Sequence, residues 1–286
     1  MKKSSIALLA IFVAGLYGTL IYSFVNDDMG EVFFMMASDG SPKHVRDFLY
    51  RGASVDGRDP YGNTALILAA GGNFDPEMIR ALTAANADVD AINNRGLGPV
   101  MAAAERNTNP SVITELVYAG ANLDKTGEDD TSPLLASIFV NPNPAVILEL
   151  VRLGANVNLP DRNGISPLMA ACYIGRGAEV VEALLKAGAD FNAACRRGST
   201  PLFYAMSQRN NNYDVVSLLV NFGADVNLAN NVGVTPLIAA ATVGADSAVV
   251  KLLRAAGADS SARDYEGRTA FDIAKNTERA DASLFE

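Results

Sequence analysis

The apolar positions of this chain follow a block that keeps returning. "GNTALILAA" (62–70) recurs as "GLGPVMAAA" (96–104), "DTSPLLASI" (130–138), "GISPLMAAC" (164–172), "GSTPLFYAM" (198–206), "GVTPLIAAA" (233–241) and "GRTAFDIAK" (267–275). The third residue of each block is Thr64, Gly98, Ser132, Ser166, Thr200, Thr235 and Thr269, and it advances by 34 residues at every step except the one of 35 after Thr200. A second marker stays in phase: "GASVD" at Gly52, "NADVD" at Asn86, "GANLD" at Gly120, "GANVN" at Gly154, "GADFN" at Gly188, "GADVN" at Gly223 and "GADSS" at Gly257.

Each unit predicts two short helices and a loop. Thr or Ser before Pro is a helix N-cap followed by a first-turn proline, so the first helix starts there. The small residues that follow let a second helix approach closely. That helix has its own start signals at Asp75-Pro76, Asn109-Pro110 and Asn143-Pro144. Its apolar stripe is clear in Val180, Val181, Leu184 and Leu185, which recur at helical spacing. The closing Gly, replaced once by Asn86, supplies a left-handed C-cap. Twelve residues rich in Asp, Asn and Gly then lead to the next Thr or its equivalent, enough for an extended finger with a tight turn and too few for another helix. The ends depart from the pattern. Residues 31–52 read as an opening helix pair with Phe33, Phe34 and Met36 facing inward, and the polar tail "AKNTERADASLFE" can cap the other end.

The first 28 residues form a separate segment. Ile6 to Val25 is an uncharged apolar run whose twenty residues span roughly 30 Å as a helix, one bilayer core. Lys2 and Lys3 precede it, and Asp27, Asp28 and Glu31 follow, so the positive-inside rule keeps the N-terminus cytoplasmic and exports the rest. Residues 1–28 therefore read as a transmembrane signal anchor and 29–286 as the repeat domain. A cleaved signal peptide, leaving a soluble periplasmic protein, is the alternative, and the absence of a good small-x-small site weighs against it.

Composition narrows the functional classes. Hydrophobic residues make up 49% and charged residues 19%, enough for a packed core, while the absence of Trp and the abundance of Ala and Gly suit close-packed short helices. The net charge is −9, and without Lys2 and Lys3 the rest carries 21 basic against 32 acidic residues. That balance argues against nucleic acid as a partner. No grouping of residues points to catalysis. His44 is the single histidine and lies in the opening pair, away from any acid–Ser or acid–Cys set. Cys172 takes a small-residue position inside a first helix, where burial is expected. Cys195 stands at a finger tip, where other units carry Asp59, Asp161 and Asp264, and is expected to be exposed. Two cysteines and one histidine do not build a typical zinc site. "RGLGPV" and "GRGAEV" contain G-x-G but complete no phosphate loop. The Asp and Asn residues recur in step with the fold, which favours turn capping over calcium.

At this point the chain resembles the ankyrin-repeat family, whose period is about 33 and whose signature is T-P-L-H-x-A. The signature His is absent, and Ile67, Met101, Leu135, Met169, Phe203 and Ile238 stand in its place. Each unit also has an extra residue between the two helices, and Asn210-Asn211-Asn212 lengthen one turn again. The resemblance implies an all-α repeat solenoid of about eight helix-turn-helix repeats, caps included, with β-finger loops. It further implies a non-enzymatic protein-binding scaffold with no cofactor, metal or small-molecule substrate.

In ankyrin arrays the finger tips and the last exposed positions of the first helix line a concave binding face. The helix positions are Gly71-Gly72, Glu105-Arg106, Phe139-Val140, Tyr173-Ile174, Ser207-Gln208 and Thr242-Val243, and only the two middle pairs are both bulky and apolar. Ile165 joins them from a finger, with Arg162, Arg196 and Arg197 as a charged rim and Glu128, Asp129 and Asp130 on the preceding finger. Exported bacterial proteins similar to this one often accompany one client, such as a secreted lipase or phospholipase or a toxic effector. The expectation is thus a periplasmic, inner-membrane-anchored scaffold that inhibits such a client. A general envelope or stress-response scaffold is the alternative.

Overall fold

The computed structural model describes residues 29–206, 213–277 and 280–286. The apolar run Ile6–Val25 lies outside the described residues, as do Ser207, Gln208 and Asn210-Asn211-Asn212. Among the described residues no helix is long and apolar enough to cross a membrane. The chain divides after Asn122 into two compact units.

The first unit holds three helix pairs: α1 (Met29–Asp39) with α2 (Pro42–Tyr50), α3 (Ala65–Gly72) with α4 (Pro76–Thr83), and α5 (Pro99–Arg106) with α6 (Pro110–Tyr118). The second holds α7 (Pro133–Val140) with α8 (Pro144–Arg152), α9 (Pro167–Ile174) with α10 (Ala178–Lys186), and α11 (Pro201–Met206) with α12 (Tyr213–Asn221). It continues with α13 (Pro236–Val243) and α14 (Ser247–Ala255), and ends with α15 (Ala270–Ala274) and a 3-10 turn, Ala282–Phe285. Within each unit first helices stack on first helices and second on second: α1, α3 and α5, then α7, α9, α11, α13 and α15.

The first helices begin where the Thr-Pro register places them. The hydroxyls of Thr64, Ser132, Ser166, Thr200 and Thr235 each accept a hydrogen bond from the amide three residues on, at 3.2–3.3 Å. Those amides belong to Ile67, Leu135, Met169, Phe203 and Ile238, the residues that replace the family's His. All but Phe203 are buried, so apolar packing fills the position. Gly98 has no side chain to cap with and relies on Pro99 behind it. The alanines of the first helices are buried with almost no exposure, as close stacking requires. Asn86 adopts φ +63, doing the left-handed work that glycine does in the other units.

Three expectations are corrected. Among the described residues there is no strand, so the fingers are turns and not β-hairpins. Asp161 shows why: its Oδ1 accepts from the amides of Asn163 and Ile165, both at 2.8 Å, so the tip amides close their own turn. One backbone bond then remains for each neighbouring finger, such as Arg196 N–H to Asn163 O at 3.0 Å, and one bond makes no ladder. Of the three residues expected to face inward in the opening pair only Phe33 is buried, with Phe34 and Met36 half-exposed, because among the described residues α1 has a stacked first helix on one side only. Finally, the C-terminal cap is not polar throughout: Phe285 is 1% exposed, and Arg254 reaches over to the Leu284 carbonyl at 2.9 Å.

Two ladders of side chains bind the repeats. Asp and Asn of the "GADVN" register accept amide hydrogen bonds from the next repeat, as in Asn122 N–H to Asp90 and Asp190 N–H to Asn158, at 2.8–2.9 Å. The expected turn capping falls to the residues two places earlier, Asp88 and Asn156, which accept the amides of Asp90 and Asn158 at 3.0 Å. The second ladder is buried. Asn73 Nδ2 donates to the carbonyls of Ala37 and Gly40, and Asn107 Nδ2 to those of Ala70 and Asn73, at 2.8–3.3 Å. These carbonyls lie at or just past the ends of the preceding first helices, which leave such groups unsatisfied.

Candidate protein-binding site

The second unit carries the expected site residues. Phe139 and Val140 end α7 and are 38% and 59% exposed. Tyr173 and Ile174 end α9, which stacks on α7, and are 46% and 41% exposed. Position at the helix end explains this. The six residues before each pair are buried against neighbouring helices, and the pair completes the last turn beyond that packing. At the corresponding place α3 has Gly71 and Gly72, α5 has Glu105 and Arg106, and α13 has Thr242 and Val243. The four bulky apolar side chains are thus confined to two adjacent first helices.

The fingers supply the remainder. Ile165 is half-buried at the foot of its finger. Arg162 is exposed at the tip, its amide donating to the Asp129 carbonyl at 3.0 Å and its guanidinium ion-paired with the Asp129 carboxylate. Arg196 and Arg197 are exposed on the next finger. A shallow groove lined by Asp130, Arg162 and Arg196 crosses the fingers. The fingers approach so closely that a Cβ on Gly164, which sits at φ +78, would lie 3.1 Å from the Arg196 nitrogen. Glycine is required there for both reasons.

One residue of the site was missed in the sequence. Tyr204 of α11 occupies a place where α5, α7, α9 and α13 have alanine. Its ring meets Tyr173 edge-on at 5.9 Å between centroids and Phe203 at 6.1 Å, both T-shaped, a geometry aromatic pairs favour. Its hydroxyl lies 3.5 Å from Cys195 Sγ. Tyr204 thereby links the apolar end of α9 to the finger that carries Arg196 and Arg197. An aromatic in an alanine register was the available signal.

Cys195 itself is a correction. It is 6% exposed rather than open to solvent. Its sulfur replaces the carboxylate or amide oxygen that other fingers use and receives the amides of Arg197 and Ser199, the same two positions that Asp161 binds in its own finger. Burial alone pushes this thiol up, but hydrogen bonds from Tyr204, from those two amides and from the Ser199 hydroxyl outweigh it and hold the thiol below its ordinary value. Tyr204 is pushed the other way, by burial first and then by its bond to the sulfur. Cys172 is buried as expected, and that burial pushes its thiol up to about 12. Among the described residues no group of His, Cys, Asp and Glu could hold a metal ion.

A search of curated protein sequences finds no match. A family model described as ankyrin repeats (3 copies) does match, over residues 33–129, 134–230 and 207–282. Together with the capped helix pairs and closely spaced fingers, that coverage shows that the chain belongs to the ankyrin-repeat family, whose repeats serve as protein-interaction scaffolds.

Proposed function

We propose that this chain is a non-enzymatic scaffold whose client protein docks on the face formed by α7, α9, α11 and their fingers. The observation that carries this reading is the exposure of Phe139, Val140, Tyr173 and Ile174 on two stacked helices. Apolar surface left in water is unfavourable by roughly 25 cal/mol per Å², and an apolar centre inside a charged rim has the make-up of a specific interface. Arg162, Arg196 and Arg197 form that rim with Ile165 at its edge. In this reading the N-terminal apolar run holds the scaffold on the periplasmic side of a bacterial inner membrane. The client is an exported hydrolase of the lipase or phospholipase kind, or a toxic effector, which the scaffold restrains. Only Asn26, Asp27 and Asp28 separate that run from α1, a reach of at most about 10 Å, which keeps the client beside the membrane it would attack.

The test is Tyr173→Ala, measured by calorimetry against the client that co-purifies with the full chain. The expected outcome is a loss of about 2 kcal/mol or more in binding, as for an interface anchor. Loss of the contact with Tyr204 should lower folding stability by about 1 kcal/mol. Glu105→Ala, outside the face, is the control. Unchanged binding, or outright unfolding, would mean that these residues serve packing alone.

A further inference from the structure

Among the described residues, the rim of this face carries charges that no ion pair satisfies. In the second unit Arg152 pairs with Glu149, Arg162 with Asp129, Arg263 with Asp272, and Arg268 with Asp264 and Glu266. Arg176 donates to the Ile138 carbonyl and Arg254 to that of Leu284. Among the described arginines of this unit only Arg196 and Arg197 have no ion pair or side-chain hydrogen bond, although the chain carries nine more acidic than basic residues. Both are exposed, and both belong to the finger that Tyr204 ties to Tyr173. The next finger, Asn230-Asn231-Val232, brings no charge. Asn231 instead donates to the Arg196 carbonyl at 2.9 Å, which holds the finger without touching its guanidinium. Two fingers before Arg196 and Arg197, Glu128 and Asp130 are exposed and form no ion pair either, while Asp129 between them is occupied by Arg162.

The face is therefore dipolar. Free carboxylates lie at one end, free guanidinium groups at the other, and the apolar residues of α7 and α9 belong to the repeats between. Resting on the reading of this face as a docking site, we propose that its occupant is a polypeptide segment with the opposite order of charge. It presents an Asp or Glu carboxylate to Arg196 and Arg197, apolar side chains to Tyr173 and Ile174, and a Lys or Arg to Glu128 and Asp130. Guanidinium groups bind carboxylates through paired, planar hydrogen bonds, so the arginine finger is the stronger determinant. The opposed charges also fix the direction in which the segment lies, since the reverse orientation sets like charges against each other.

Random peptides displayed on phage and selected on the full chain test the assignment. Peptides bearing an acidic residue, an apolar centre and a basic residue should be enriched. Arg196→Glu with Arg197→Glu should weaken the selected peptides by about tenfold or more, and added salt should weaken them on the wild-type chain. The same selection on the reversed variant should no longer enrich acidic residues, while Tyr173→Ala should weaken binding with the charge preference intact. Peptides that need Tyr173 but ignore the arginine reversal would overturn the charge assignment alone. Peptides that ignore Tyr173 would remove the docking reading beneath it. A library without arginine-dependent peptides overturns the assignment. So does self-association, or binding to phosphatidylglycerol vesicles, that is lost in the reversed variant, because either puts another occupant on this face.

Discussion

At the scale of single residues, the two cysteines show how little a residue type says before its surroundings are known. Cys172 lies in an apolar stack that offers its thiolate nothing. Cys195 lies in a cradle of amides and hydroxyls built for an aspartate. Their contributions to stability have opposite signs. Above an ordinary thiol value of about 9, an unfolded chain releases the Cys172 proton while the folded chain keeps it up to about 12, so stability falls as pH rises through that window. Relative to Cys172→Ala, the wild-type chain should lose up to about 1.4 kcal/mol per pH unit there. Cys195 is depressed, so the folded chain releases its proton first, and stability gains as pH rises toward the ordinary value. Urea titrations of wild type, Cys172→Ala and Cys195→Ala across this range check both signs. A difference that stays flat with pH would show a thiol that titrates alike in the folded and unfolded chains.

At the scale of elements, the repeats are joined by more than their apolar faces. Asn107 fastens the ends of two first helices: it donates to Ala70 and Asn73, and its Oδ1 accepts the Asn109 amide at 2.9 Å. With the side chain removed, two buried carbonyls and an amide lose their partner. Asn107→Ala should therefore destabilise the chain by about 3 kcal/mol, seen as a lower urea midpoint. A cost below about 1 kcal/mol would mean that water replaces the side chain. The helix starts in this neighbourhood were legible in Asp75-Pro76 and Asn109-Pro110. The residue two places earlier, Asn73 or Asn107, was not, because an Asn beside a turn reads as an exposed turn former until a neighbouring helix closes over it. The fingers were legible as loops but not in their pairing, since single bonds between turns leave no alternation in the sequence.

At the scale of the molecule, charge and topology set what the chain can meet. Without Lys2 and Lys3 the balance is 21 basic to 32 acidic residues, which repels anionic lipid and leaves the arginine finger as a local exception. Under the proposed topology a periplasmic reporter fused after Glu286 should be active, and mass spectrometry should find the N-terminus intact. Activity of a cytoplasm-only reporter at that position would reverse the orientation. Released, soluble protein would favour cleavage and detach the client from the membrane.

The linear pattern determined the repeat, the starts of the first helices and of the second helices at Pro76, Pro110 and Pro144, the left-handed closing residues and the helix-end positions of Phe139, Val140, Tyr173 and Ile174. Those features depend on local hydrogen bonding and on helical spacing, which a linear pattern encodes. Tertiary structure decided what lies between repeats: the burial of Asn73 and Asn107, the Tyr173–Tyr204–Cys195 chain of contacts, and which arginines keep a free charge. The Asn107 bonds, the Tyr173–Tyr204 contact and the Arg162–Asp129 pair each depend on atoms about one repeat apart in sequence being brought within a few ångströms. A side chain such as Asn107 is exposed or buried, and an arginine such as Arg162 paired or free, according to a neighbour that only the stacking supplies.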